Sequence, residues 1–361
     1  MVRNGAADDD GRVPRRNHRI RDVAEQAGLS VATVDRVLHG RAGASPRAVR
    51  AVETALVELD RQSTRLRLSR RTLLVDVVLD APARFRDAVR AATEESLTTV
   101  RPATVRVRFH EHDGADPAEL ARAVDRVGSG GRVSHGVVLK APDDAQVAAA
   151  VARAADRGIP AVTLVTDVAR SGRVAYVGLD NRAAGATAAY LLGGFLHGRE
   201  GAVLASVSHR AFQGEQERFE GLVERLRVVD PGRAVVRVGD AHGDDDAMAE
   251  VVAEALARHP DIVGVYSMGG GNGGIARALE QAGRGGVPFL GHDLDADNRV
   301  LLRTGVLTAV LHHDLRADLR AGLVQLLRAH RLLPGAPTST MSAPQVVTPW
   351  NLPPRLWAGA V

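Results

Sequence analysis

The chain has 361 residues, among them no cysteine, a single lysine and few aromatic side chains. The absence of cysteine excludes disulfides and thiolate metal sites, and it is typical of cytoplasmic proteins. Aromatic residues amount to 3% of the chain, which is too few for a surface that stacks unpaired bases. The sequence also lacks a continuous apolar stretch of the roughly 18 residues that a membrane helix needs, so we expect no membrane partner.

Positive charge is concentrated near the N-terminus. The whole chain carries a net charge of +4, but residues 12–71 contain 14 arginines against six acidic residues. A local excess of this kind is the electrostatic signature of a domain that meets phosphates. Nearly all basic residues are arginine and only Lys140 is lysine. Codon composition explains this preference more simply than function does.

The segment 19–40 predicts two short helices joined by a tight turn. The apolar side chains that recur at helical spacing are Val23, Ala24 and Ala27 in the first helix and Val34, Val37 and Leu38 in the second. Gly28 permits the left-handed conformation that ends a helix, and Ser30 is placed to cap the next one. Two helices in this arrangement form a helix-turn-helix, whose second helix is free to enter the major groove of DNA.

The same segment resembles the DNA-binding headpiece of the lac repressor (LacI) family of bacterial transcription regulators. The family pattern is close to T-I-R-D-V-A-x-x-A-G-V-S-x-x-T-V-S-R-V-L-N-G, and the sequence departs from it at Arg19, Asp35 and His39. The resemblance implies a cytoplasmic, nucleoid-associated homodimer that binds double-stranded operator DNA and represses transcription. Asp35 would repel a DNA phosphate, so it either accepts a hydrogen bond from a cytosine amine or orients a neighbouring arginine.

The resemblance also implies which residues contact DNA. These are Arg19, Ser30, Val31, Ala32, Thr33, Asp35, Arg36 and His39. The base-reading positions of the family fall on Val31, Ala32 and Arg36. Small apolar side chains can meet thymine methyl groups there, and the arginine can bond a guanine edge in two places. Thr33 and His39 fall on positions that contact phosphates.

Composition divides the chain into four parts. Residues 1–16 lack periodicity and are predicted to form a disordered tail. The helix-turn-helix domain covers residues 17–60 and includes a third helix, which Ser45 followed by Pro46 should begin. Residues 61–71 are polar and basic and are interpreted as a linker, and residues 72–361 form an effector-binding and dimerisation domain.

The predicted linker departs from the family. A short hinge helix is usual there, and it carries a leucine that wedges into the minor groove. Arg70 stands where that leucine is expected, although Leu66 or Leu68 could serve after a shift of register. Whether the linker forms a hinge helix therefore stays open.

From Leu73 onward, short apolar runs alternate with helical segments, and about ten strands are predicted. This alternation indicates parallel sheets with helices on both faces, and ten strands are too many for one ordinary sheet. The region resembles the type I periplasmic sugar-binding fold of two α/β lobes. The motifs that carry the resemblance are Val77–Pro82, Val177–Asn181, Arg218–Gly221 and Leu290–Asp293. The lobes are predicted to comprise residues 72–178 plus 312–340, and residues 179–311 plus 341–352.

The resemblance to that fold implies a small polyhydroxylated effector, a sugar, a sugar alcohol or a derivative, bound between the lobes at the carboxyl ends of strands. The positions that correspond to the family's site are Asp80, Phe85, Thr166, Asp167, Arg218, Asn272, Asp293 and His313. Charged side chains bond adjacent hydroxyl groups, and Phe85 would cover an apolar sugar face. Thr166 stands where ribose binders place a charged side chain, and His313 where they often place glutamine, so we do not expect ribose itself.

Two other patterns were weighed as sites. The glycine-rich run 269–274 follows a strand and opens a helix, but it lacks the Lys-Ser/Thr of a phosphate-binding loop. His312 and His313 are adjacent on a predicted strand and point to opposite faces, which argues against a shared metal ion. We therefore expect no cofactor, no metal and no enzymatic activity. The alternative is a nucleotide-using α/β enzyme with an incidental N-terminal helical bundle.

Overall fold

A computed structural model describes residues 18–69, 71–97, 104–208, 212–239 and 243–353, with the side chains of residues 64–69 excepted. The chain forms two compact units, residues 1–71 and residues 72–361. The predicted tail at residues 1–16 and Arg70 of the expected hinge lie outside the described residues. Among the residues that are described, no helix is both long and apolar enough to cross a membrane.

The first unit contains three helices. They are α1 (Ile20–Ala27), α2 (Val31–Leu38) and α3 (Pro46–Ser69). The predicted boundary signals are confirmed, since Gly28 has a φ of 63° and Ser30 Oγ accepts a hydrogen bond of 3.2 Å from the Thr33 amide. The predicted stripes meet in one core, whose buried members are Val23, Ala24, Val34, Leu38, Val52 and Ala55.

The third helix is longer than the sequence predicted. It continues to Ser69, so most of the predicted linker at residues 61–71 is helical and continuous with α3. The segment was judged from its polarity alone, but between Arg61 and Ser69 it contains neither glycine nor proline. Arginine, leucine and glutamine favour helix, so nothing in the local sequence ends α3 after residue 60.

The second unit contains two parallel sheets. The strands, in chain order, are β1 (Thr72–Asp80), β2 (Thr104–His112), β3 (Gly136–Lys140), β4 (Ala161–Leu164), β5 (Ala175–Leu179), β6 (Ala202–Val207), β7 (Val235–Gly239), β8 (Ile262–Ser267), β9 (Phe289–His292), β10 (Ala309–His312), β11 (Thr340–Ser342) and β12 (Gln345–Val347). One sheet has the order β11-β5-β4-β3-β1-β2 and the other β12-β10-β9-β8-β6-β7. The pairing is parallel throughout except that β12 runs antiparallel to β10. The ten predicted strands are confirmed, and β11 and β12 were too short to produce a recognisable pattern.

Helices cover both faces of the sheets. They are α4 (Ala83–Leu97), α5 (Pro117–Arg126), α6 (Ala145–Asp156), α7 (Asn181–Phe195), α8 (Gln213–Val229), α9 (Asp245–Arg258), α10 (Asn272–Gln281), α11 (Ala296–Arg303) and α12 (Leu315–Ala329). Parallel strands require such crossovers, and the helices bury the apolar runs of the strands on each side. The predicted architecture of two α/β lobes behind a helical headpiece is confirmed.

The chain passes between the lobes three times, after β5, after β10 and between β11 and β12. The last passage lies slightly later than the predicted boundary at residues 340/341, because β11 extends to Ser342 and pairs with β5 of the first sheet. Similarly, His312 still belongs to β10 of the second sheet, whereas the prediction assigned it to the first lobe. The first lobe thus contains β1–β5, α12 and β11.

Two helices of the second lobe pack unusually closely. A Cβ atom added to Gly185 of α7 would lie 1.9 Å from the carbonyl oxygen of Arg218 in α8, and one added to Gly221 of α8 would lie 2.2 Å from that of Arg182 in α7. Glycine is therefore required where the two backbones touch. This contact fixes the position of Arg218 in α8 relative to α7.

We expect Gly185→Ala to lower the free energy of unfolding of the second unit by about 1–3 kcal/mol, because the methyl group overpacks the contact between α7 and α8. Gly194→Ala is the matched control in the same helix, since a Cβ there would meet no atom within 4 Å. It should be neutral or stabilising by up to about 1 kcal/mol. Urea unfolding of the full chain, followed by circular dichroism, measures both. Equal effects of the two variants would contradict the close contact.

Candidate functional site

The exposed face of α2 carries the predicted base-reading side chains. Val31 is 52% exposed, Ala32 and Arg36 are also exposed, and Val34 on the opposite face is buried. A single exposed valine is normal on a protein surface, so its exposure shows only that the described residues of the first unit leave it uncovered. The structure therefore leaves the face free for a base edge, as a recognition helix requires.

Asp35 has partners within its own unit. Its carboxylate accepts a hydrogen bond of 2.9 Å from Arg41 Nη1 and lies 2.9 Å from His39 Nδ1. The neighbouring arginine offsets the negative charge that would otherwise repel a phosphate. Of the two alternatives for Asp35, this geometry favours the one in which it orients an arginine, and that arginine is Arg41.

A cleft lies between the two lobes at the carboxyl ends of their strands. It encloses a cavity of about 80 Å³, whose walls come from both lobes. The residues that line it are Ala81, Pro82, Arg84, Phe85, Lys140, Val165 and Thr166 from the first lobe, and Ser208, Phe212, Gly214, Glu215, Arg218, Met268, Gly269, Gly270, His292, Asp293 and Asp295 from the second. A larger cavity of about 380 Å³ adjoins it and shares the walls Arg84, Phe85, Asp293 and Asp295.

The structure brings four of the eight predicted effector residues to the 80 Å³ cavity. They are Phe85, Thr166, Arg218 and Asp293. The other four have different positions. Asp80 is buried, and its Oδ1 accepts a hydrogen bond of 3.1 Å from the Ala115 amide, so it holds the loop after β2.

Asp167 and Asn272 are engaged in local hydrogen bonds. Asp167 accepts two hydrogen bonds of 2.5 Å from Arg173 and so does not line the cavity. Asn272 begins α10 and donates a 2.7 Å hydrogen bond to Asn298. Both predictions rested on the position in the family pattern, and in both cases a partner in this chain holds the side chain elsewhere.

The run of glycines before α10 serves packing rather than phosphate binding. A Cβ on Gly270 would lie 1.4 Å from Arg84 Nη2, and one on Gly274 would lie 1.8 Å from the Asp245 carbonyl oxygen at the start of α9. Glycine is thus needed at position 274 for the contact between the backbones of α9 and α10, whereas at position 270 the end of the flexible Arg84 side chain could move.

Arg218 is the central cation of the second lobe. It is only 4% exposed. Its Nε donates a 2.8 Å hydrogen bond to Asn181 Oδ1, and its Nη1 donates one of 2.6 Å to the carbonyl of Met268. Asn181 begins α7 and Met268 follows β8, so Arg218 links three elements at the floor of the cleft. No described carboxylate forms an ion pair with it.

Lys140 was missed as a site residue. It ends β3, is 8% exposed, and its Nζ donates a 3.0 Å hydrogen bond to the Asp80 carbonyl. The same nitrogen lies 3.8 Å from the ring centroid of Phe212 and 5.4 Å from that of Phe85. Burial lowers the pKa of Lys140 to about 8, although the negative charges of Asp80 and Glu215 oppose this. The sequence feature that could have marked it is its residue type, because Lys140 is the single lysine of a chain that otherwise uses arginine.

Glu215 and Ser208 form a second group that the sequence analysis did not single out. The carboxylate of Glu215 accepts hydrogen bonds of 2.6 Å from the Ser208 amide and 2.5 Å from its hydroxyl. These bonds tie the start of α8 to the end of β6. No motif marked either residue, since the pairing depends on the fold.

Arg84 connects the lobes across the mouth of the cleft. It extends from α4 of the first lobe, donates a 3.2 Å hydrogen bond to the Gly243 carbonyl and lies 3.3 Å from the Asp295 carboxylate, both in the second lobe. Burial raises the pKa of Asp295 to about 6, opposed by the Asn298 amide and by Arg84. The arrangement is thus one in which the lobes already touch.

His313 lines the adjoining cavity of about 380 Å³ rather than the 80 Å³ cavity. Its Nε2 is 3.4 Å from Asp293 Oδ1, and its Nδ1 is hydrogen-bonded to Asp318 of α12. Burial of the ring lowers its pKa, but the bonds and charges of the two aspartates outweigh burial and raise the pKa to about 9. The pKa of Asp293 is correspondingly held well below its usual range, despite the raising effect of burial. A charged His313 therefore orients the Asp293 carboxylate at the site.

The pKa of His313 predicts how stability depends on pH. Its folded value of about 9 exceeds the value of about 6.5 of unfolded histidine, so its contribution is complete below pH 6.5 and is lost as the pH rises towards 9. Lys140, with a folded pKa of about 8, acts with the opposite sign above that pH. We therefore expect the free energy of unfolding to fall by on the order of 2 kcal/mol between pH 6.5 and 8.

Urea unfolding of the full chain across this range checks the expectation, with His313→Gln as the comparison. The variant should be less stable at pH 6.5 and should lose most of the decline towards pH 8. An identical slope in the variant and the original chain would show that His313 does not carry the proton.

Two family descriptions match the chain. Residues 19–61 match bacterial regulatory proteins of the lacI family, and residues 77–329 match a periplasmic binding protein domain. Both descriptions are of regulatory or binding proteins. Among curated proteins, none matches the chain.

Solved structures with a similar fold are sugar-binding proteins. The glucose-galactose binding protein GanP from Geobacillus stearothermophilus is 21% identical, with a TM-score of 0.69, over 79% of this chain and 100% of that chain. An ABC transporter solute binding protein from Burkholderia graminis, in complex with D-arabinose, is 22% identical, with a TM-score of 0.69, over 76% and 95%. The arabinose binding protein AraP from Geobacillus stearothermophilus is 23% identical, with a TM-score of 0.62, over 78% and 97%.

At these identities the likeness establishes the fold of the second unit. The family matches cover both units, and the longer one extends over more than half of the sequence. The chain belongs to the lacI family of bacterial regulatory proteins and carries a periplasmic binding protein domain behind its helix-turn-helix unit.

Proposed function

We propose that the chain is a homodimeric repressor whose affinity for operator DNA changes when a small polyhydroxylated ligand binds between the lobes. One observation carries this proposal. The same chain combines a helix-turn-helix with an exposed recognition face and a cleft that both lobes line. The sugars for which the similar proteins are named, glucose, galactose and arabinose, support a sugar-like ligand.

On the DNA side, Val31, Ala32 and Arg36 are proposed to read bases. Thr33 and His39 would contact phosphates, together with Arg19 and the amide groups near Ser30 at the start of α2. A single recognition helix reads only a short half-site. Two copies of the chain would therefore bind two half-sites separated by one or more turns of DNA.

On the ligand side, four side chains suit a polyhydroxylated molecule. Asp293 and Thr166 supply hydrogen-bond acceptors, Arg218 supplies donors and Phe85 offers an apolar face. Asp293 and Arg218 belong to the second lobe, whereas Phe85 and Thr166 belong to the first. A ligand that bonds both sets favours the arrangement in which the lobes are close. His313 would orient Asp293, and Asp80 would hold the loop beside Phe85 without touching the ligand.

Coupling between the two sites requires that the lobes have two arrangements and that the DNA-binding units respond to them. The ligand then shifts operator affinity by as much as its affinities for the two arrangements differ. Each of the three passages between the lobes is short, so the lobes can rotate as rigid bodies about them.

Arg36→Ala tests the base-reading assignment. Loss of a bidentate contact to guanine should weaken operator binding by about 1–3 kcal/mol and leave binding to random DNA nearly unchanged. The operator can be obtained by selection from random-sequence DNA or from the region upstream of the gene. Arg50→Ala removes one exposed positive charge from α3 of the same unit, and it should weaken binding to operator and to random DNA slightly and equally. If Arg36→Ala also weakened binding to the two kinds of DNA equally, Arg36 would be a phosphate contact.

Removal of residues 1–71 tests whether the first unit binds DNA and the second unit binds ligand. The remaining chain keeps both sheets and the whole cleft, so it should bind ligand as the full chain does but should no longer shift operator DNA. Circular dichroism would first establish that this fragment is folded. Operator binding by the fragment would overturn the assignment of DNA binding to the helix-turn-helix.

A further inference from the structure

Two buried cations line the 80 Å³ cavity, one from each lobe. Lys140 is 8% exposed and Arg218 is 4% exposed, and neither forms an ion pair with any described residue. The other charged groups nearby have partners. Arg84 pairs with Asp295, His313 with Asp293 and Asp318, and Glu215 accepts two bonds from Ser208.

Neither cation pairs directly with a carboxylate, although the charges of Asp80, Glu215 and Asp293 act on Lys140 from a distance. A buried charge without a direct partner is costly, so the persistence of two of them at a binding cleft indicates a ligand that supplies a carboxylate or similar group in direct contact. Both cations have N–H groups that make no hydrogen bond to a described residue. Arg218 uses Nε and Nη1 for Asn181 and Met268, and its Nη2 bonds no described residue. Lys140 bonds only the Asp80 carbonyl among the described residues, so its other N–H groups are available.

The helices that end at the cavity agree with this charge pattern. Six helices of the second unit have an aspartate side chain that caps their first turn, namely Asp116, Asp144, Asp180, Asp244, Asp295 and Asp314. By contrast, α8 and α10 begin at Phe212 and Gly271 without a side-chain cap. Phe212 and the glycines before Gly271 lie at the cavity, and the start of a helix favours a negative charge. In α8 the Gly214 amide already donates a 3.3 Å hydrogen bond to Thr166 Oγ1.

The geometry points to a polyhydroxylated carboxylate, such as an aldonic or uronic acid, as the ligand of the cleft. Its carboxylate would lie between Lys140 and Arg218, and its hydroxyl groups would bond Asp293 and Thr166. A carboxylate fits better than a phosphate, because Glu215 and Asp293 also line the cavity and would repel a second negative charge. This inference rests on the proposed ligand-binding role of the cleft.

The residue type at position 140 agrees with the assignment. Arginine is used at every other lysine-or-arginine position of the chain, yet a compact ammonium group stands between the rings of Phe85 and Phe212. The planar guanidinium of arginine needs more room and a wider set of acceptors than this space offers. An ammonium group between two aromatic faces retains its charge and can approach a single carboxylate.

The single lysine provides a direct measurement on the unmodified full chain. Incorporation of 13C-lysine yields one Cε resonance, which reports binding at Lys140. The probes are matched pairs of an acid and its neutral counterpart: glycerate and glycerol, galacturonate and galactose, gluconate and glucitol. At least one acid should shift the resonance saturably and bind at least about tenfold more tightly than its neutral partner. It should also raise the pKa of Lys140, on which Asp80, Glu215, Arg218 and Asp293 act in the free protein.

Lys140→Met tests the role of the charge, since it keeps an unbranched side chain of similar length. Calorimetry should show a loss of at least about tenfold in affinity for the acid and little change for the neutral partner. Arg153→Met is the matched control, because Arg153 is an exposed cation paired with Asp125, and it should change neither affinity. Equal losses for acid and neutral ligand in Lys140→Met would mean that Lys140 only shapes the cavity.

Three other outcomes would overturn the inference. These are tighter binding of the neutral members, preference for glucose 6-phosphate over gluconate, and no saturable shift with any acid at tens of millimolar. Operator binding measured on the same samples separates this inference from the proposed function. If neutral sugars change operator affinity, the proposed function is supported and the inference of a carboxylate ligand is wrong. If an acid binds but leaves operator affinity unchanged, the inference of a carboxylate ligand is supported and the proposed function is wrong.

Discussion

Burial of charge between the lobes is the constraint on which the second unit depends. Arg218 is almost fully buried, so each of its donors must find an acceptor or remain a cost. Two of them are satisfied by Asn181 and by the Met268 carbonyl, and these partners come from α7 and from the loop after β8. The glycines at positions 185 and 221 let α7 and α8 approach closely enough for this to happen. The close contact of the helices is therefore part of the site.

The same network holds a strained residue. Val165 has a φ of 66°, which is unfavourable for a β-branched side chain, and it lines the cavity. The Val165 carbonyl accepts hydrogen bonds from the Tyr176 hydroxyl and from Asn181 Nδ2. Strain of this kind persists only where surrounding bonds over-determine the backbone. One of these bonds comes from Asn181, whose Oδ1 also accepts the hydrogen bond from Arg218, so the strained backbone and the buried charge belong to one network.

Local signals predicted the headpiece well because each of its boundaries depends on neighbouring residues. A glycine ends α1 and a serine caps α2, and both effects act within one turn. The end of α3 was missed for a related reason. Polarity was taken as a sign of a linker, although helix propensity and the absence of a breaker decide the matter. The alternation of strands and helices similarly sufficed for the lobes, but not for the short strands β11 and β12.

The cleft could be predicted only in part, because its side chains are chosen by partners distant in sequence. Phe85 and Arg218 were found from the family pattern, and they line the cavity. Asp167 also stands at a position of the family's site, yet its carboxylate is hydrogen-bonded to Arg173. No pattern in one sequence shows whether such a carboxylate bonds a ligand or a neighbouring arginine. Lys140 was visible as the only lysine, but its importance follows from the rings of Phe85 and Phe212, which the fold brings to it from different elements.

The ion pair that joins the lobes at the mouth of the cleft is weak. Arg84 and Asp295 join the lobes with side chains that are 27% and 14% exposed, and a partly exposed pair of this kind contributes about 1 kcal/mol or less. A contribution of that size biases an equilibrium between open and closed lobes without locking it. By contrast, a ligand that compensates a buried cation from each lobe gains free energy only when the lobes are close. Lys140 and Arg218, which have no direct ion pair with a described residue, therefore make the equilibrium between open and closed lobes sensitive to what enters the cleft.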